Sequence, residues 1–465
     1  MEVGLAGYVL SAIRDQKKRD MATFSIRCSC GRELHSEDAH IGRTVRCICG
    51  QPVTIVRGTE STAGSRSSGG RSEVRSEARA ESRPEGRAEV RRETRRRTMR
   101  SRGSGSRFPR LARVVTWTCW GWLAATVAIW IGLYTLSERT LPFTMLLYGP
   151  RWVVLLPLAI LVPVALIFAW RALLPLALSA VIAAVPIMGF RLSPAGLMAG
   201  RTPPLQVAPN GLRILSLNAQ GGGVVQQHLD EMMAAYTPSV MAFQECGREL
   251  GQNLAKRAEW HFEQFHNLCL LSRWPVTQRD SMPRAAFARI SDLGYGGAAI
   301  VIRYTIAHPA GPFELVNLHL ETARKGLEGI LGDQGLLRDD TGLPNVPASL
   351  ETDRFAINAD IRLRESERAS YWSARHANTT PIVVVGDFNM PVESSIFRAY
   401  WSALSSAFDA GGRGFGFTKH EGRWLRIRID HVLFAPQWFE TSGAWVGNDV
   451  GSDHRPVIAD LTRKR

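Results

Sequence analysis

The stretch PIVVVGDFNM, Pro381–Met390, constrains this chain more than any other. Ile382, Val383, Val384 and Val385 form a continuous apolar run that Gly386 ends, the pattern of a strand buried on both faces. Such a strand delivers its last residues to a fixed place. Asp387 and Asn389 alternate about Phe388, so both polar groups point to one side of the strand end while Phe388 returns to the core. In an open α/β sheet that end is where ligands bind.

Other apolar runs stop at polar residues in the same way. Leu212–Leu217 leads to Asn218, Ser239–Phe243 leads to Gln244 and Glu245, and Phe313–Leu320 carries Asn317 and His319 on one side by period two. Further strands are expected at Asn267–Ser272, Ala298–Tyr304, Ile427–Phe434 (carrying Asp430 and His431) and Val457–Leu461, the last preceded by Asp453 and His454. Helices are expected at Val224–Ala235 and Asp353–Ala377. A single strand-terminal Asn or Asp is usually a turn former, but packing does not require so many at converging strand ends. His431 should face away from Asp430 as a structural residue. Cys246 adjoins Glu245 without an activating His motif and reads as a buried thiol.

Upstream, three uncharged apolar stretches of 24, 19 and 19 residues (114–137, 152–170 and 172–190) each match the roughly 20 residues that cross a hydrocarbon core. Trp117, Trp120, Trp122, Trp152 and Trp170 lie near their ends, as interfacial anchors do. The Arg cluster before them places the N-terminus in the cytoplasm, and an odd number of crossings puts the C-terminal half outside. Were the closely spaced second and third stretches one re-entrant element, that side would reverse.

Net charge is +15, yet from Gly211 onward 27 Lys and Arg face 28 Asp and Glu, so the basic excess belongs to the first 210 residues. The C-terminal half therefore lacks the basic footprint that tracking along nucleic acid usually leaves. Residues 1–20 have no signature, and Met21 can equally be the start. Residues 21–56 contain Cys28, Cys30, Cys47 and Cys49, two knuckles whose thiolates can surround one Zn²⁺, leaving His35 and His40 on the surface. The segment is similar to small bacterial zinc ribbons, with one residue fewer between the second pair of cysteines, and such a module offers a surface for a protein partner. Residues 57–113 read as a disordered tether, within which Arg recurs every four positions from Arg71 to Arg91 and Glu from Glu73 to Glu93, stacking like charges. Residues 192–210 read as a Pro-containing linker before the domain 211–465. The seven cysteines do not form a disulfide framework.

In order and approximate spacing, SLN at 216–218, QE at 244–245, NLHL at 317–320, GDFN at 386–389, RIDH at 428–431 and GSDHRPV at 451–457 resemble the endonuclease/exonuclease/phosphatase superfamily. The resemblance implies an α/β fold, a four-layer sandwich of two mixed sheets flanked by helices, and hydrolysis of a phosphoester dependent on Mg²⁺ or Mn²⁺. It further implies Glu245 as main metal ligand, with Asn218 and Asp453 nearby, and His454 held by Asp430 as general base or phosphate contact. Asp387 would orient or deprotonate the attacking water, and Asn389 and His319 would donate to phosphoryl oxygens. Arg455 either reaches a phosphate or fills the bend. The insertion Glu321–Ser349 would border the substrate groove. Substrates compatible with this reading are nucleic acid and, because of the membrane stretches, phospholipid headgroups; an inert membrane sensor or scaffold is the reading from another class.

Overall fold

The computed structural model describes residues 109–207, 210–284, 300–324, 326–327, 348–422 and 424–464, together with four short strands near the N-terminus. The chain divides into two units near Arg95. In the first, Thr23–Arg27 pairs antiparallel with Glu33–Glu37, and Thr44–Arg46 with Pro52–Thr54. Cys28, Cys30, Cys47 and Cys49, the expected zinc ligands, lie outside the described residues, as does nearly all of the expected tether.

The second unit begins with the apolar helices: α1 (Pro109–Leu136), the short α2 (Leu141–Tyr148), α3 (Leu156–Phe168, entered through a 3-10 turn from Arg151) and α4 (Leu173–Ile182, running into a π turn to Ile187). Among the described residues, three helical stretches, Pro109–Leu136, Arg151–Phe168 and Trp170–Ile187, are long and apolar enough to cross a membrane. Their large side chains face outward: Trp117 is 77% exposed, Ile160 69% and Ile167 73%. Water would penalise that arrangement, and a hydrocarbon solvent would not.

Two six-stranded sheets follow. One runs β1 (Gly211–Asn218), β2 (Val240–Gln244), β3 (His261–Phe265), β4 (Leu268–Ser272), then the late strands β12 (Phe439–Val446) and β13 (Val457–Arg463), in the spatial order β12-β13-β1-β2-β4-β3. The other contains β5 (Val276–Ser281), β6 (Ile300–Ile306), β7 (Phe313–His319), β8 (Ile382–Asp387) and β11 (Asp430–Phe434), in that order, with Ser405–Ser406 on the edge. Each sheet is mixed and has one parallel pair at its centre: β1 with β2, and β7 with β8. Side chains from the inner faces, such as Ile214, Ala242, Ile302 and Val385, fill the space between the sheets. The outer faces are covered by α5 (Gln226–Tyr236) and α6 (Arg248–Ala255) on one side and by α7 (Ala348–Ala374) and α8 (Ser395–Trp401) on the other, giving four layers. Gly386 has φ +143°, and a Cβ there would lie 2.0 Å from the Leu318 carbonyl oxygen, so the close approach of β8 to β7 requires glycine.

Three expectations need correction. Cys246 is not a thiol: it is bonded to Cys269, because the antiparallel β2–β4 pair brings the two Cα atoms to 5.9 Å. Residues 192–210 are not a free linker: Arg191–Leu192 pairs with Arg413–Gly414, and the turn Pro194–Met198 is capped by Ser193, whose hydroxyl also donates to Gly412 O. The run 427–434 is not one strand. Leu425–Ile427 (β10) forms a hairpin with Lys419–Glu421 (β9), and only Asp430–Phe434 joins the sheet.

The loops joining the apolar helices are fastened to the sandwich. Glu138, between α1 and α2, is 3% exposed and accepts from Arg362 of α7 (2.7 Å), Tyr148 Oη (2.6 Å), Ser394 Oγ and the Ile396 N–H. Ser395 donates twice to Ser137, from its N–H to Oγ and from its hydroxyl to the carbonyl. Arg151 and Arg191 pair with Glu393 at 3.0 and 3.2 Å.

Candidate active site

Strand register assembles the site. The parallel pair β1–β2 sets Asn218 beside Gln244, with Glu245 next in the chain, and the parallel pair β7–β8 sets His319 beside Asp387. The antiparallel β8–β11 pair places Asp430 opposite Asp387, and His454 enters from the turn before β13. Below this rim a buried amide pair crosses between the sheets: Gln244 Nε2 donates to Asn317 Oδ1 at 2.7 Å, and Asn317 Nδ2 donates to the carbonyls of Phe243 and Cys269. Burial makes satisfied amides of this kind a specific tie between layers.

At the rim, Asn218 Nδ2 donates to both Glu245 Oε1 and Asp387 Oδ2, each at 3.0 Å, so one amide joins a carboxylate from each sheet. His319 Nε2 lies 3.8 Å from Glu245 Oε1 and 3.9 Å from Asp387 Oδ2. His454 Nδ1 is 2.8 Å from Asp430 Oδ2, which leaves Nε2 facing Asp387 Oδ2 at 3.9 Å. Asp387 Oδ1 accepts the Asn389 N–H at 2.8 Å, and the Asn389 side chain donates to Leu320 O. Glu245 and Asn389 both have positive φ, +47° and +52°, a backbone cost tolerated where surrounding structure fixes it.

The carboxylates differ in character. Burial, first, and then the like charge of Asp430 raise the Asp387 pKa above the usual carboxylate range. Burial would also raise Asp430, but the charge and hydrogen bond of His454 outweigh it and hold Asp430 low. Burial opposes charging of His454, and Asp430 together with Asp387 more than offsets it, so its pKa is raised. Donor atoms of Asp387, Asp430 and His454 all lie within 4.8 Å of one another, the spacing of a cation site.

Asn218, Glu245, His319, Asp387, Asn389, Asp430 and His454 come together here, whereas Asp453 and Arg455 are engaged elsewhere and His431, expected as a structural residue, lies outside the cleft. Asp453 is turned to Lys419 in an ion pair, although its Oδ1 lies 3.8 Å from His454 Nε2. Arg455 pairs with Asp449 at 2.6 Å and does not reach the cleft. His431 packs on Phe388 and Phe397 and bonds to Met390 O. Lys419 and Tyr148 also line the cleft, which sequence reasoning missed. Lys419 sits on the small hairpin, which has no apolar run to announce it, and Tyr148 belongs to the segment between apolar helices.

A model described as Endonuclease/Exonuclease/phosphatase family matches residues 215–454. Among solved structures, this chain is similar to the human Nocturnin catalytic domain with bound sulfate (14% identity, 56% of this chain and 97% of that one, TM-score 0.38). It is also similar to D. rerio TDP2 complexed with single strand DNA product (12%, 55% and 100%, TM-score 0.38) and to the 3'-5' exonuclease NExo from Neisseria meningitidis (16%, 54% and 100%, TM-score 0.38). No curated protein matches.

Proposed function

The chain belongs to the endonuclease/exonuclease/phosphatase family, and from its site we propose a membrane-anchored phosphodiesterase of nuclease type that uses Mg²⁺ or Mn²⁺ and activates water with a His–Asp pair. The carrying observation is the convergence of Asn218, Glu245, His319, Asp387, Asp430 and His454 at the facing ends of both sheets.

The residues fit a hard divalent ion. Glu245 and Asp387 offer carboxylate oxygens and Asn218 its Oδ1, which also accepts the Gln220 N–H, and among the described residues Asp430 Oδ1 and Asp453 Oδ1 have no hydrogen-bond partner. Glu245 and Asn218 would hold the ion, with Asp387 or Asp453 beside them. Such an ion, when bound, neutralises charge on phosphoryl oxygens and acidifies water. The neutral His454 ring, with Nδ1–H directed at Asp430, presents its lone pair at Nε2, where it takes a proton from water positioned by Asp387. His319 Nε2 and the Asn389 amide donate to phosphoryl oxygens, and Lys419 adds positive charge to the wall.

A phospholipid headgroup as substrate is the second reading, and one observation favours it: the cleft wall includes Tyr148, supplied by the segment between two apolar helices. Membrane anchoring has its own support. The segments around Glu138, Arg151 and Arg191 all meet the sandwich, as three helix ends emerging on one side of a bilayer would. The Cys246–Cys269 bond belongs to an oxidising compartment, which agrees with the catalytic half outside and the Arg-rich flank inside.

The test uses the full chain in detergent with Mg²⁺, offered plasmid DNA, single-stranded oligonucleotide and phospholipid vesicles, beside Glu245→Ala and His454→Ala. Hydrolysis of one substrate, lost on EDTA treatment and in both variants, is expected. Hydrolysis that survives both substitutions rejects the site.

A further inference from the structure

A second cavity, about 350 Å³, lies where the apolar helices meet the sandwich. Arg151, Trp152, Phe417, Trp424, Arg426 and Arg428 line it. It is separate from the catalytic cleft because the hairpin strand divides them. By strand alternation Leu425, Ile427 and Ile429 line the cleft, whereas Trp424, Arg426 and Arg428 line the second cavity, which Ile427 also borders.

Two guanidinium groups are incompletely satisfied. Arg151 is 9% exposed; its Nε donates to Leu147 O and its Nη1 to Ile187 O and Glu393, but Nη2 is buried with no partner among the described residues. Arg428 is 4% exposed; its Nη2 pairs with Asp409 at 2.8 Å, and Nη1 is likewise buried with no partner among the described residues. The charges around them do not balance. Arg151, Arg191 and Arg428 share Glu393 and Asp409, and the exposed Arg426 adds another cation. Two buried donors on adjoining arginines with surplus positive charge call for an acceptor with several oxygens and negative charge, which describes a phosphate group.

Its surroundings choose among phosphates. Arg151 opens one apolar helix and Met188 closes the next, so the cavity sits at the level of the membrane surface in the reading above. Trp152 Nε1 donates to Trp424 O, the two rings lie 5.7 Å apart, and Trp424 is 66% exposed. Indoles with one apolar side and one polar contact are suited to a lipid–water boundary.

We propose that this cavity binds the phosphate of an anionic phospholipid, Arg151 Nη2 and Arg428 Nη1 donating to its oxygens and the acyl chains leaving past Trp152 and Trp424. A lipid held there braces the hairpin whose Lys419 pairs with Asp453 in the catalytic cleft. The proposal does not depend on which substrate the cleft takes.

The experiment is native mass spectrometry of the full chain released from micelles containing phosphatidylglycerol or phosphatidylcholine, with inorganic phosphate added in a parallel arm. Wild type is expected to retain one phosphatidylglycerol and to prefer it at least tenfold to phosphatidylcholine. Arg428→Gln is expected to lose that preference, and millimolar phosphate to leave it intact. If Arg428→Gln does not fold, Trp424→Ala, at an exposed position, carries the same expectation, and undiminished retention in it overturns the proposal. Equal retention of the two lipids, equal retention by wild type and Arg428→Gln, or displacement by inorganic phosphate, which assigns the cavity to a soluble anion, each overturns it as well.

Discussion

Two buried ionic clusters lie on either side of the GDFN turn, and they are built to opposite plans. In the Glu138 cluster the carboxylate is matched by one guanidinium, two hydroxyls and a backbone N–H, and Arg362 also reaches Asn389 O at 3.4 Å. Burial alone would raise the Glu138 pKa, but Arg362, Ser394, Tyr148 and Ile396 outweigh it and hold it below the ordinary value. In the cleft, Asp387 and Asp430 stand opposite each other with His454 between, and the Asp387 pKa is raised. In the first cluster both carboxylate oxygens find their donors within the protein, and it serves stability. The second concentrates negative charge that the proposed metal ion would balance.

The contrast predicts opposite consequences of removing one carboxylate from each. Asp387→Asn should cut hydrolysis by roughly 10³-fold or more while leaving the melting temperature unchanged or higher, since it relieves like-charge repulsion. Glu138→Ala strands the Arg362 guanidinium and should lower unfolding free energy by ~3–5 kcal/mol. Denaturant titration and initial rates on the same preparations decide it; an Asp387→Asn chain that unfolds easily while Glu138→Ala does not would erase the distinction.

Acid sharpens it further. Because the folded Glu138 pKa lies below its unfolded value near ~4.3, its contribution is complete above that pH and is lost as pH falls through the folded pKa. Asp387 has the opposite sign: its ionised form costs stability above the ordinary aspartate value, and the cost fades on acidification. Unfolding midpoints from neutral pH downward should therefore fall less steeply in Glu138→Gln than in wild type, and more steeply in Asp387→Asn. Parallel profiles for the three chains would count against both assignments. The smallest effect is expected of Tyr148→Phe, which removes one hydroxyl from the Glu138 cluster: ~1 kcal/mol of stability, with a few-fold rise in KM if the substrate touches the tyrosine.

What the sequence made legible follows from burial. Central strands such as Ile382–Asp387 are apolar on both faces, so their ends stand out as the places where Asp387, Asn218 and Glu245 appear. Parallel pairing then aligns those ends, and the site is read almost as a list of terminators. The rest depended on neighbours that spacing does not reveal. Cys246 and Cys269 meet only because β2 and β4 are adjacent and antiparallel. Lys419 reaches Asp453 from a hairpin of three-residue strands, too short for an alternation signal. Residues 192–198 looked like a linker because their ties, the Leu192–Arg413 pairing and the Ser193 bond to Gly412, are polar and reach partners far along the chain, not apolar and periodic.

The clasp of Glu138 on Arg362 also sets the altitude of the catalytic mouth. In the membrane-anchored arrangement proposed above, the mouth stays at the level of the headgroups and cannot sample the bulk phase freely. For a lipid substrate, turnover would then scale with molecules per unit area, and diluting the target with inert lipid at constant total concentration would slow the enzyme as surely as removing it.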